Sequence, residues 1–203
     1  MMKQKKNFGL SAILFLSAVI FFIGCGNPNK SPEDVGKQIV NALKKNDKEM
    51  LKVLIPDVEE ALEASLAIFD DIEAIDKIFN EMPYEISRED FDNIIAQQVE
   101  ELKRMKEDKE QIAEQQLELL TELENDFDQC VTSGQEDFGI EWKNIAFGDV
   151  EFQMEDETPG VVSSGYEMNI NIDSNDKSLI IPLSGIMLNG QYYVLSIGEI
   201  REK

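Results

Sequence analysis

Five carboxylates recur at strict four-residue spacing: Glu110, Glu114, Glu118, Glu122 and Asp126. Side chains four apart are neighbours on a helix, and each like-charged pair costs an isolated helix about 0.2–0.5 kcal/mol. The row therefore reads as a solvated face or as a docking face for a basic partner or loosely held cations. Asp149 and Glu151 share one face of any strand they occupy; they can line a pocket or look outward. Trp142, Tyr166, Tyr192 and Tyr193 can border a ligand cavity or fill a core. The 203 residues include no His, which removes the commonest metal ligand and the commonest general base near neutral pH. Asp173-Ser174-Asn175-Asp176-Lys177 has the acidic look of a calcium loop, yet it lacks the Gly and the terminal Glu that such a loop requires, and it reads as a hairpin turn. No phosphate-binding Gly loop, nucleophile elbow or Cys/His metal spacing is written in the chain. No catalytic residue, metal or cofactor is expected.

Charge narrows the partners. The formal net charge is −22, from 41 Asp and Glu against 19 Lys and Arg. Nucleic-acid binding needs clustered cations to neutralise phosphates, so it is not expected. A hydrophobic fraction of 42% with 11 Phe is too high for a disordered polyanion and suffices for a packed core. The acid is unevenly spread: residues 26–56 carry a net +2, residues 57–130 a net −18 and residues 131–203 a net −9.

The chain begins with an address. Lys3, Lys5 and Lys6 precede an uncharged run from Phe8 to Ile23, followed by Gly24, Cys25, Gly26, Asn27 and Pro28. This is the layout of an export signal. As a helix the run would rise about 24 Å, short of a hydrocarbon core of roughly 30 Å, which favours a cleaved signal over an uncleaved anchor. Ile23-Gly24-Cys25 resembles the lipobox of bacterial lipoproteins, with Phe22 where that motif usually has Leu. The resemblance implies that residues 1–24 are a signal peptide, that the Cys25 sulfur receives diacylglycerol and that the bond before it is cut. Two or three acyl chains, at about 0.8 kcal/mol per buried methylene, hold a soluble domain firmly. The expected location is the cell envelope, outside the cytoplasm, with the membrane as a partner through the lipid. The second cysteine, Cys130, then has no partner in the chain and is expected to be a small buried hydrophobe.

Residues 25–31 would be the lipidated Cys and a linker, and residues 32–203 one domain with a helical elaboration at about 57–130. Ser31 can cap a helix with Pro32 at its first position and Glu33 and Asp34 in its first turn. Val35, Ile39, Val40 and Leu43 keep helical spacing, and a second short helix carries Met50, Leu51, Leu54 and Ile55. An apolar stripe from Val58 through Leu62, Leu66, Phe69, Ile72, Ile75 and Phe79 predicts a helix that Pro83 stops. Glu89 to Cys130 has neither Gly nor Pro and reads as one long helix that must bend near Lys106–Gln111 or project outward. With Pro83–Arg88 as the turn, it would pack antiparallel on the preceding helix as an acidic hairpin.

After Gly139 the period changes. Residues 142–154, 164–172, 178–188 and 191–200 read as strands, Tyr166, Met168, Ile170 and Ile172 alternating with polar residues. Asn189-Gly190 is a two-residue hairpin signal, and Asp156–Gly160 and Asp173–Lys177 supply further turns. Four strands with short connections make an antiparallel meander, and helices preceding them give an α+β class.

Ser31-Pro32-Glu33-Asp34-Val35 with Ile39 to Asp47, and Asn189-Gly190-Gln191-Tyr192-Tyr193-Val194-Leu195, resemble the opening helix and the last hairpin of small bacterial lipoproteins of the cystatin-like, nuclear-transport-factor-2-like superfamily. The likeness covers about a third of the chain and implies a curved sheet wrapped around a helix, often with a pocket. The expected function is a lipid-anchored extracytoplasmic binding or interaction module. The alternatives are a carboxylate and tyrosine enzyme working in a cystatin-like pocket, and a helical docking protein for a basic partner. An aromatic-lined cavity with two inward carboxylates would favour the enzyme, a filled interior the other two.

Overall fold

The computed structural model describes residues 29–81, 86–154, 165–175 and 177–203. Helices precede strands, and the class is α+β. Helix α1 spans Pro32–Lys45: Ser31 accepts the Asp34 N–H, and Asn46, at φ 50°, closes the helix. The short helix expected next is a 3-10 helix over Lys48–Val53, which leaves Leu54 and Ile55 beyond its end. Pro56 disfavours helical backbone at the residue before it, so too little chain remains for α turns.

The long stripe from Val58 is two helices, α2 over Val58–Phe69 and α3 over Ile72–Glu81. Two consecutive Asp residues separate them, and the Asp71 carboxylate accepts the Glu73 N–H. Asp side chains compete with helical hydrogen bonds in this way. The single helix expected over Glu89–Cys130 is likewise corrected to α4, Arg88–Glu107, and α5, Lys109–Phe138. Asp108 does both jobs at the break. Its N–H bonds to the carbonyls of Arg104 and Met105, and its carboxylate caps Gln111. The break falls inside the polar stretch where a bend was expected, and α5 runs past Cys130 until Gly139 ends it at φ 68°.

The hairpin expectation holds. Phe79 and Phe91 meet with ring centroids 5.1 Å apart, Arg88 pairs with Asp76 and Lys106 with Glu63, so α2 and α3 lie antiparallel to α4. Most of the turn between them, like Asp156–Gly160, lies outside the described residues.

The strands are β1, Ala146–Met154; β2, Gly165–Ser174; β3, Lys177–Leu188; β4, Gln191–Ile197; and β5, Arg201–Glu202. They form an antiparallel sheet in the order β1-β2-β3-β4, with β5 pairing the other half of β3. Trp142–Asn144, expected to open the first strand, is instead a 3-10 turn in which the Trp142 indole donates to the Val131 carbonyl. Asn189 and Gly190 adopt φ of 52° and 72°, the left-handed pair that a two-residue hairpin needs. The unanticipated gap between β4 and β5 answers to Pro182 on β3. The Pro182 carbonyl receives the Gly198 N–H, and in an antiparallel strand a residue's nitrogen faces the same edge as its carbonyl. The donor that proline lacks thus faces the interruption, where no ladder bond is lost.

Tyr166, Met168, Ile170 and Ile172 point into one core with Ile39 and Leu43 of α1 and Leu123, Phe127 and Cys130 of α5. A separate cluster joins Val58 and Leu62 of α2 to Leu102 and Met105 of α4. The other side of α2 places Ala61 and Ile68 on Ile186, Leu188 and Tyr193 of the sheet. Helix α5 feeds both regions, with Ile112 and Leu119 on the helical cluster and Leu120, Leu123 and Phe127 on the sheet core.

Candidate functional site

The acidic row lies on α5 and divides. Glu110, Glu114, Glu118 and Glu122 are exposed, and none of the four has an ion pair among the described residues. The nearby cations are engaged elsewhere, Lys106 with Glu63 and Lys109 with Glu59 of α2. Asp126 departs from the expected docking face. It is half-buried and accepts the Ile197 N–H at 3.1 Å. At roughly 100° per residue, each four-residue step turns about 40° past a full revolution, so the row winds by about 160° from Glu110 to Asp126 and its last member reaches the sheet. The open part of the row borders Leu117, 64% exposed, with Ala113 and Thr121 exposed beside it. A large apolar side chain ringed by uncompensated carboxylates is suited to a partner that is both basic and amphipathic.

Asp149 and Glu151 do share a strand face, and it is exposed. A bulge between Phe147 and Val150 brings Asp149 across from Asn171, while Glu151 pairs with Asn169; the Asn171 amide nitrogen donates to both carboxylates, at 2.7 Å and 3.2 Å. Glu151 also pairs with Lys203 at 3.2 Å. The Asn171 donor first, and Lys203 second, hold the Glu151 carboxyl below the usual carboxylate range. That favours its ionised form, the reverse of what a general acid needs. The Asn171 side-chain oxygen is the one buried side-chain polar atom without a hydrogen-bond partner among the described residues.

The aromatic candidates fill the interior. The buried Tyr166 hydroxyl donates to the Tyr193 carbonyl at 2.9 Å, and its ring packs with Phe152 and Tyr192 at centroid distances of 5.5 Å and 5.7 Å. Burial pushes its pKa up, and Trp142 and Tyr193 are buried as well. Cys130 is in the sheet core, where burial, with Asp126 adding, pushes the thiol up to about 12, so it stays protonated at neutral pH. The Asp173–Lys177 segment is the β2–β3 hairpin turn, with Ser178 donating to Asp173 and Asn175 at φ 50°; Asp176 lies outside the described residues.

A groove of about 530 Å³ runs between the C-terminal half of α5 and the end of β4, with Asp126, Asp128, Glu136, Asp137 and Glu199 along it and Cys130 beneath. Two of its acids are engaged, Asp126 with Ile197 and Asp128 with Lys48. Sequence spacing offers no signal for this groove, because Glu199 joins the helical acids only through the fold. Among the described residues, no group of three or more Asp, Glu or Cys is placed to hold a metal ion, and no helix is long and apolar enough to cross a membrane. Cys25 lies outside the described residues. No protein family, curated protein or solved structure matches the chain.

Proposed function

We propose that this protein is a lipid-anchored extracytoplasmic interaction module, fastened through Cys25, whose α5 face docks a basic partner. The observation that carries the docking reading is the uncompensated row Glu110, Glu114, Glu118 and Glu122 around exposed Leu117. The anchor reading rests on the Lys-rich start, the apolar run and Ile23-Gly24-Cys25. The packing of α1 on the sheet supports the cystatin-like resemblance, and the filled aromatic interior favours interaction over chemistry in a pocket.

A photo-crosslinker replacing Leu117 in the membrane-bound protein tests the docking face. The expected adduct is with a basic polypeptide, is lost in high salt and is lost when Glu114, Glu118 and Glu122 are all changed to Lys. It persists when the exposed Glu89, Glu100 and Glu107 of α4 are changed to Lys, which alters the net charge equally. Equal loss in both triple variants would reduce the face to bulk charge. For the anchor, Cys25→Ala should leave an unprocessed precursor that takes up no fatty-acid label, and normal maturation of that variant would reject lipidation.

A further inference from the structure

Asn29, four residues after Cys25 in the chain, is held in a clasp. Asn29 is 0% exposed. Its amide nitrogen donates to the Val53 carbonyl at 2.8 Å and its amide oxygen accepts from Gln38 at 2.7 Å. Its own carbonyl accepts the Tyr192 N–H at 3.1 Å. Helix α1, the end of the 3-10 helix and strand β4 thus all grip one residue.

A fully extended chain advances at most about 3.6 Å per residue, so the Cα of Cys25 can lie no farther than about 14 Å from that of Asn29. A folded domain of this size has a radius of gyration of roughly 16 Å. A tether shorter than the body it holds cannot let that body turn freely. We propose that the surface around Asn29 is seated on the headgroup layer of the bilayer that holds the Cys25 lipid, with Lys30, Lys52 and Val53 as the contacting side chains. The inference rests on the lipidation of Cys25 proposed above.

Two features of this surface agree with a phospholipid occupant. Val53, whose carbonyl the clasp holds, is 54% exposed and stands beside Lys52, which shares an exposed ion pair with Glu49 at 2.6 Å, while Lys30 follows Asn29 directly and is exposed. An aliphatic side chain flanked by lysines suits the boundary between acyl chains and anionic headgroups. Of the three charge segments of the mature chain, residues 26–56 also carry the positive balance, +2 against −18 for residues 57–130 and −9 for residues 131–203. The tether sets the distance and charge sets the roll, since turning the domain to bring the α5 glutamates onto the headgroups would place carboxylates against phosphates. The end of the sheet where the Asn175 side chain meets the Gly139 carbonyl, with Asp137 nearby in the chain, then faces away from the membrane.

The test uses the full-length lipidated protein reconstituted in vesicles of phosphatidylglycerol and phosphatidylethanolamine, with a nitroxide attached through Val53→Cys or, separately, Asp137→Cys. Buried, protonated Cys130 takes no label. The expected result is a severalfold higher ratio of collision with oxygen over a water-soluble nickel chelate at position 53 than at position 137. Inserting a flexible Gly/Ser segment between Gly26 and Asn27 should bring the two ratios together. Intact lipid on Cys25 by mass spectrometry with equal ratios at the two positions would overturn the seating and leave the anchor standing. A bare Cys25 in the mature chain would overturn the anchor itself and the seating with it.

Discussion

Around the sheet, Tyr166, Phe127 and Ile170 are fully buried, and α1, α5 and four strands share one apolar core, whereas α2 and α4 meet over a smaller cluster, with Val58, Leu62, Leu102 and Met105 buried and Leu66 and Phe69 half-buried beside them. The helical arm also carries the larger excess of acid, −18 over residues 57–130 against −9 over residues 131–203. Its ties to the rest are of two kinds. The apolar tie is the second face of α2 on Ile186, Leu188 and Tyr193. The polar ties are the Asn189 amide of the β3–β4 turn, which donates to Glu60 of α2 at 2.8 Å, and the Gln116 amide, which donates to the Pro56 carbonyl and accepts the Val58 N–H. The ion pairs that join α2 to its neighbours, Lys106–Glu63 and Lys109–Glu59, are exposed, and pairs of that kind contribute little. The difference teaches that stability resides in the sheet region, while the face proposed for docking lies where packing is thinnest.

The largest effects test this division directly. Phe127→Ala, at a site with 0% exposure, should cost about 3–5 kcal/mol and lower the chemical-denaturation midpoint for both regions, because α5 serves both cores. Leu102→Ala should cost about 2–3 kcal/mol and act locally. Hydrogen exchange in that variant should speed up in α2 and α4 while β2 and β3 keep their protection. Equal loss of protection in the strands would show that arm and sheet unfold as one unit.

How far this architecture could be read from residues alone follows the range of the interactions. Ser31-Pro32-Glu33-Asp34 marks the start of α1 and Asn189-Gly190 marks the β3–β4 turn because cap and turn chemistry is local. The alternation of Tyr166, Met168, Ile170 and Ile172 reports the core face for the same reason. The breaks at Asp70–Asp71 and Asp108 escaped because apolar spacing continues across them, although Asp followed three residues later by Gln111 has the form of a cap. Proline 182 held the signal for the gap before β5, but only once its strand was known to be central. The site was less legible. The row on α5 is visible as spacing, yet Asp126 leaves it through helical winding, and the groove with Glu199, like two of the three bonds of the Asn29 clasp, depends on partners more than twenty residues away.

Alkaline pH gives the next effect, and it reads the sheet region alone. The Cys130 thiol is pushed up to about 12 in the fold from an ordinary 9.0. The folded state keeps the proton that the unfolded chain loses, so the stability this group contributes is fully present below pH 9 and declines as pH rises toward 12. The slope for one such group is about 1.4 kcal/mol per pH unit. Tyr166, also raised by burial, adds its own slope that grows through pH 10, so the cysteine's share is the part of the decline between pH 9 and 10 that Cys130→Ala removes. Urea titrations there should show the decline in the native chain and a flatter course in Cys130→Ala. An unchanged slope in the variant would mean that the thiol is not the titrating group.

The smallest effects separate the two ends of the acidic row. Removing the Asp126 carboxylate leaves the Ile197 N–H without its acceptor, and loss of a hydrogen bond to a charged group costs about 1.5–3 kcal/mol when the donor is buried and less when water can replace it. Asp126→Ala should therefore destabilise by about 1–2 kcal/mol. Glu118 is exposed among like charges and holds no partner among the described residues, so Glu118→Lys should change stability by less than about 0.5 kcal/mol. It relieves repulsion with Glu114 and Glu122 and adds opposite-charge neighbours at the same spacing, which gives the small change a stabilising sign, strongest at low salt. If thermal melts instead show Glu118→Lys to be as damaging as Asp126→Ala, the carboxylate at 118 serves the fold, and the separation of a structural end of the row from an end free for the proposed docking would be lost.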